Sequence, residues 1–287
     1  MKPQTSSRPP ALFDRDALAR RRRRAIDRNA MFLHDEAAAE LQERLKEVNR
    51  AFTTPAVVSG FPTLWRQFFP EIRSVRDDDV LDLEPRSHDL VLHAMCLHWS
   101  NDPVGHVVQC RHALRPDGLF LAVFPGGETL RELRDVLGRA ETEVLGGMSP
   151  RIAPMIALRD AGAFLQRAGL ALPVADSVPR GASYASLWAL MHDLRAMGET
   201  NVLVARHKRT PPRDLFEAAA RIYRDEYGNI ERRIHASFEL IFLTGWAPDP
   251  SQQQPLQPGS ARIRLADALG TTEFDEHAKP VNDRDQT

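Results

Sequence analysis

The chain is short of several features that would classify it at once. Its 287 residues include two cysteines, Cys96 and Cys110. That is too few for a disulfide framework, so a reducing cytoplasm is the expected compartment. No apolar run approaches the roughly 20 residues of a membrane-spanning helix. The opening "MKPQTSSRPPALFDRD" lacks the apolar stretch of a secretory signal. Charge of one sign is not in excess either: 38 Lys and Arg stand against 39 Asp and Glu, which makes no case for nucleic acid or an anionic membrane as partner. The sequence has no P-loop, no Ser/His/Asp triad, no paired-carboxylate motif and no internal repeat. Glycine is scarce at one telling place. Residues 57–62, "VVSGFP", stand where a nucleotide-binding α/β fold turns from its first strand into its first helix, and a turn that normally carries three glycines has only Gly60.

What remains is the composition of an ordinary globular protein, 43% hydrophobic and 27% charged, long enough to bury one substantial core. Residues 1–12 read as a loose arm. From Phe13, "FDRDALARRRRRAIDRNA" has helical composition, with Asp14 and Asp16 in its first turn. Arg20 to Arg24 wrap more than a full turn, so they cannot form one stripe. They read either as a solvated helix face or as a contact for an acidic partner or phosphate. A second helix is expected at about 35–50, "DEAAAELQERLKEVNR", with Leu41, Leu45 and Val48 at helical spacing.

An alternating pattern follows. "TPAVVSG" reads as a buried strand and "PTLWRQFF" as a helix opened by Pro62. "HDLVLHAM" (88–95) is a continuous apolar strand, after which Asp102 and Pro103 can start a helix ending before Pro116. Asp117-Gly118 turns into a second apolar strand, "LFLAVF" (119–124). The two strands should lie side by side and parallel, joined by that helix. Helices at "GGETLRELRDVLGRAETEVLGG", "RDAGAFLQRAGL", "SYASLWALMHDLRAMG" and "RDLFEAAARIYRDEYG" and strands at "LPVADSV" and "ASFELIFLTGWAP" complete a doubly wound, mostly parallel sheet. Domain boundaries fall at 13–50 for N-terminal helices, 51–176 for the α/β core and 177–246 for C-terminal helices and the last strand. Residues 247–287 form a tail in which "SARIRLADAL" could make a short helix.

The stretch "SHDLVLHAMCLHWSNDPVGHVVQCRHALRPDGLFLAVFPGGETLREL" resembles the second half of a class I S-adenosylmethionine-dependent methyltransferase. A longer resemblance, from Phe13 to about Gly270, is to the methyltransferase-like complex I assembly factors, whose mitochondrial members hydroxylate an arginine of a complex I subunit. It is carried by "FDRDALARRRRRA", "ERLKEVNRAF", "GGMSPRIAP", "LMHDLRAMGETN", "FELIFLTGWAP" and "RLADALG". The malonyl-carrier-protein methyltransferase of biotin synthesis is a more distant likeness. The resemblance implies a Rossmann-like fold, S-adenosylmethionine as cofactor and a protein substrate, such as a complex I subunit or assembly intermediate, met by peripheral association with the membrane.

Two departures from the family bear on the cofactor. The Asp-x-Gly-x-Gly-x-Gly turn is absent: Phe61 brings bulk and Pro62 removes an N–H donor beside Gly60. Only ten residues separate Asp77 from the strand at His88, too few for a full crossover, so one strand–helix unit is missing. On this reading "EIRSV" is the third strand, the second is lost with its ribose-binding acid, and Asp78 and Asp79 take the adenine-edge position. Alternatively Asp77, 17 residues past Gly60, serves the ribose itself. Candidate cofactor contacts are thus Ser59, Gly60, Asp77, Asp78, Asp79 and His98. Candidate substrate or partner contacts are Trp99, Arg21 and Arg24, with "SPRIAP" (149–154) framing a substrate mouth. Affinity for S-adenosylmethionine is expected to be weaker than micromolar, and a binding module that has lost the cofactor is the alternative function. His93, Cys96, His98, Cys110 and His112 are types that suit zinc or iron, but they match no compact spacing, and neither a metal nor a catalytic residue is assigned.

Overall fold

The computed structural model describes residues 10–24, 27–253 and 271. Its contacts divide the chain into two units, Met1–Asp249 and Pro250–Thr287; the fold below is that of the first. The helix expected at 260–269 and the matching "RLADALG" lie outside the described residues, as does most of the expected arm.

Six strands, β1 (Pro55–Ser59), β2 (Arg73–Arg76), β3 (His88–Ala94), β4 (Leu114–Pro125), β5 (Ala171–Tyr184) and β6 (Ile234–Trp246), form one sheet in the order β2-β1-β3-β4-β6-β5. The first four run parallel, and β6 lies antiparallel between β4 and β5. The expected central pair is present, with Leu90 to Ala94 in register with Leu119 to Val123. Between them α4 (Pro103–Ala113) starts where Asp102 accepts the Gly105 N–H at 2.7 Å, satisfying a donor that the first turn leaves open. Alternate strand residues face opposite ways. Val57, Leu92 and Leu121 pack under α2 (Phe32–Val48), α5 (Arg131–Leu145), α7 (Leu187–Ala196) and α8 (Arg213–Tyr227). Val58, Val91 and Phe120 pack against α4 and α6 (Leu158–Arg167). Helices on both faces explain why these strands read as unbroken apolar runs. This is a class I methyltransferase-like sheet, one outer unit short.

Two expectations need correction. "EIRSV" is not a third strand: β2 pairs directly with β1, Ala56 opposite Arg73, so it holds the second position, and the missing unit is the one beyond it. The physical reason is reach. The connection from β1 through the short α3 (Pro62–Phe68) is a single crossover that sets the next strand beside the one it left. The first helix is also shorter than its composition suggests. α1 spans Arg15–Arg22 and closes on a tighter turn, the Arg24 N–H bonding the Arg21 carbonyl. Arg20 and Arg24, one turn apart, would repel in a continued helix.

α1 rests across the carboxyl ends of the strands. Phe13, Ala17 and Leu18 form a small third cluster with Trp99, Ala153, Val202 and Leu203. The Asn101 side chain holds the backbone of Leu12 and Phe13, and Asp14 pairs with Arg206 at 2.8 Å.

Candidate functional site

Ligands of open α/β sheets bind beyond the carboxyl ends of the strands, where the order reverses. Here that place lies between β1 and β3, under α1. β1 ends at Ser59, buried, whose hydroxyl accepts the Phe61 N–H at 3.1 Å. Gly60 faces the guanidinium of Arg22, and a Cβ there would collide with it. Arg22 reaches down from α1 and bonds both carboxylate oxygens of Asp77 at 2.7 and 2.8 Å, passing over the ring of Phe61. Arg15 adds bonds to the Asp77 carboxylate and carbonyl. Burial opposes charge on both partners. Each outweighs it for the other, holding Asp77 below the usual carboxylate range and raising Arg22 above its ordinary value. The lone glycine of the turn thus makes room for an arginine.

The pair leaves donors over. Arg22 Nε and Nη2, and the nearby His34 Nε2, are buried without a hydrogen-bond partner among the described residues. His34 Nδ1 lies 3.1 Å from Trp65 Nε1, an indole that can only donate, so His34 accepts there and carries its proton on the unpaired Nε2. Burial lowers its pKa to about 4. His34 meets the Phe61 ring edge-on, so Arg22 and His34 flank the same side chain. Orphaned buried donors of this kind call for an explanation, and a carboxylate-bearing ligand would satisfy them.

Next to this nest lies a cavity of about 640 Å³, walled by Leu130, Leu133, Met155, Met191 and Phe238, with Arg21 also in its lining. Glu199 is the one acidic residue in its lining among the described residues. The residue is placed by the end of α7: Gly198, at φ +80°, lets the chain turn back, and the Glu199 N–H bonds the Leu194 carbonyl at 2.8 Å. Its Oε2 accepts the Trp99 indole N–H at 2.8 Å and lies 3.0 Å from His98 Nε2. Burial pushes the carboxyl up, but His98, Arg22 and the indole bond together hold it below the ordinary range, so it stays ionised.

The structure brings Ser59, Gly60 and Asp77 together, and joins His98 and Trp99 through Glu199. Asp78 and Asp79 are not part of either group. Both are exposed, Asp78 lying 3.8 Å from Arg76 and Asp79 4.0 Å from Arg15. Arg21 lines the large cavity, where its guanidinium bonds the Thr200 hydroxyl, and Arg151 to Ala153 of "SPRIAP" line it too. Arg24 lies in a neighbouring cleft. Of the histidine and cysteine group, His93 and Cys96 lie together, and their buried chain runs on to His106, which is not in that group, His93 Nε2 lying 3.1 Å from His106 Nδ1. Burial lowers His93 to about 3 and raises Cys96, so both are neutral core groups. Sequence reasoning missed Arg22, His34 and Glu199. Glu199 sits in the quoted stretch "LMHDLRAMGETN", but nothing local marks it.

No family model matches the chain. Among curated proteins it is 40% identical over 199 residues to the mitochondrial arginine-hydroxylase NDUFAF5 of Dictyostelium discoideum, covering 69% of this chain and 45% of that one. It is 36% identical over 220 residues to its counterpart in Danio rerio, covering 77% and 68%. A malonyl-acyl-carrier-protein O-methyltransferase of Xylella fastidiosa (strain M23) is 33% identical over 172 residues, 60% of this chain and 56% of that one. The chain thus spans about half to two thirds of the length of the relatives it matches. With more than a third of residues shared across 68% of the Danio rerio protein, it belongs to the NDUFAF5 arginine-hydroxylase family.

Proposed function

We propose that this protein binds S-adenosylmethionine at the ends of β1 and β3 and takes up, in the adjoining cavity, an arginine side chain of a respiratory complex I subunit during assembly. The observation that carries the reading is Glu199: one ionised carboxylate, fixed by Trp99 and His98, set in an otherwise apolar and basic cavity. A guanidinium pairs with a carboxylate as a planar fork, and the apolar wall suits its methylene stem. The family supports the substrate, since the relatives are named arginine-hydroxylases.

For the cofactor, Asp77 follows the second strand, where an acid meets the ribose. Arg22 Nε and Nη2 and His34 Nε2 supply donors for the methionine carboxylate, whereas Asp77, both of whose oxygens are held by Arg22 Nη1, must give up that bond to accept the ribose hydroxyls. When bound, the cofactor supplies an electrophilic methyl group on a sulfonium. The chain's own residues bind and orient: Glu199 holds the guanidinium, and α1 covers the strand ends and excludes water. Breaking the Arg22–Asp77 pair and lacking two turn glycines both weaken binding, so affinity is expected to be weaker than micromolar. Each lost hydrogen bond to a charged group costs about 1.5–3 kcal/mol, or one to two decades in affinity. The test is calorimetric titration with S-adenosylmethionine, paired with mass spectrometry of an arginine-containing complex I peptide incubated with the protein, S-adenosylmethionine, dioxygen and a two-electron reductant, because a gain of oxygen needs the last two. Heat together with a gain of one oxygen or one methyl on arginine supports the reading, and Glu199→Gln should abolish the gain. No heat at millimolar ligand and no change in the peptide would leave a binding module. The curated names of the relatives weigh against that second reading.

A further inference from the structure

Between α1 and α7 a second cleft of about 630 Å³ opens, lined by Arg20, Arg21, Arg24, His192, Arg195 and Arg206, with Asp27 the one acid. It shares Arg21, Arg195, Thr200 and Arg206 with the Glu199 cavity, so the two adjoin. We propose that this cleft is a docking site for an acidic peptide segment of a protein partner, and that the segment lies beside the residue delivered to Glu199.

What sets this cleft apart is that five arginines, Arg20, Arg21, Arg24, Arg195 and Arg206, line one concavity. With 39 acids for 38 bases, carboxylates enough are present, and several arginines elsewhere are paired: Arg28 with Asp35, Arg44 with Asp176, Arg139 with Glu226, Arg221 with Glu143. In the cleft Arg206 holds Asp14 and Arg21 holds a hydroxyl. Arg20, Arg24 and Arg195 make no side-chain hydrogen bond or ion pair among the described residues. Crowding is felt: burial, then Arg206, Arg195 and Arg20, push the Arg21 guanidinium below its ordinary pKa. Folding has gathered like charge in a concavity at a cost that a bound anion would relieve. A single phosphate is much smaller than the cleft. Nucleic acid would want an aromatic platform or a long basic track, and among the described residues the lining contains no aromatic ring besides His192. Carboxylates along a peptide match guanidiniums spread over two helices.

The larger cavity adds a second reason, which rests on the proposed function. Its lining carries Arg195, Lys208 and Arg21 besides Arg151 and Arg206. Arg151 is neutralised by Glu141 at 2.7 Å and Arg206 by Asp14 at 2.8 Å, but Arg21, Arg195 and Lys208 would repel an incoming arginine. A substrate whose arginine has acidic neighbours brings its own compensation.

The test is fluorescence anisotropy of the full chain with a labelled peptide of alternating Glu and Ser, without S-adenosylmethionine and without arginine, so that it succeeds or fails independently of turnover. The acidic peptide should bind, weaken as salt rises, and bind better than a Gln/Ser peptide of equal length. R20Q/R24Q/R195Q should weaken it at least about tenfold at an unchanged melting temperature. R20Q/R24Q, altering only exposed side chains, should give a smaller loss if the triple variant is unstable. Equal binding of the Gln/Ser peptide, indifference to the arginine substitutions, or displacement of the peptide by inorganic phosphate or a single-stranded oligonucleotide at lower concentration than by unlabelled peptide would overturn the proposal.

Discussion

At the scale of one residue, Gly60 and Arg22 compete for the same space. Glycine leaves the guanidinium room to lie against the turn and hold Asp77. Removing one partner of a buried ion pair costs several kcal/mol, because the other charge is stranded. Arg22→Met should therefore destabilise the fold by about 3 kcal/mol in urea unfolding, moderated because Arg15 still reaches Asp77. Gly60→Ala should cost a similar amount by expelling the guanidinium. Once Arg22→Met is in place, however, the added methyl has nothing charged to displace, so Gly60→Ala should then be nearly neutral. Strictly additive costs in that double-mutant cycle would mean that the two positions do not meet.

At the scale of the element, α1 is a short helix whose place depends on its ends. Asp14 accepts the Ala17 N–H at 2.8 Å and pairs with Arg206, so one carboxylate both caps the helix and ties it to the loop after α7. Asp14→Ala should cost about 1 kcal/mol and speed amide exchange across Arg15–Arg22 while leaving β1 and β3 protected. Unchanged exchange in α1 would show that the Phe13–Trp99 contact holds it alone. The central elements were legible in the sequence for reasons of this kind. Asp102-Pro103 announces the start of α4, and unbroken apolar runs announce β3 and β4, since no other element buries both faces of so short a segment. The place of β2 was not legible: in a four-residue edge strand with one buried residue, Val75, no pattern says which neighbour it takes. The site divides the same way. Gly60 and Asp77 stand out because turn and strand end are fixed in chain order. Glu199 lies 100 residues from Trp99, and nothing in a run of five arginines says that Arg22 is the one that turns inward.

At the scale of the whole molecule, burial of imidazole sets how the fold responds to acid. His34 and His93 are held to about 4 and about 3, against an ordinary value near 6.5, chiefly by burial. Both are neutral when folded and take up a proton on unfolding below that ordinary value. Their contribution is therefore fully present above pH 6.5 and is lost as pH falls toward the folded values, at about 1.4 kcal/mol per pH unit for each. Asp77 and Glu199, held below their ordinary values, add losses only in more acidic solution, so the interval just under neutrality reads the histidines. His34→Gln can keep an acceptor for the Trp65 indole but cannot titrate. At neutral pH it should cost about 1 kcal/mol, and the gap to the parent protein should close as the pH is lowered toward 5, because only the parent pays to keep His34 unprotonated. His93 and the carboxylates titrate alike in both proteins and drop out of the difference. A gap that stays constant across that interval would show that His34 is not held neutral in the fold, and that its Nε2 is not the unpaired donor assigned to the cofactor nest.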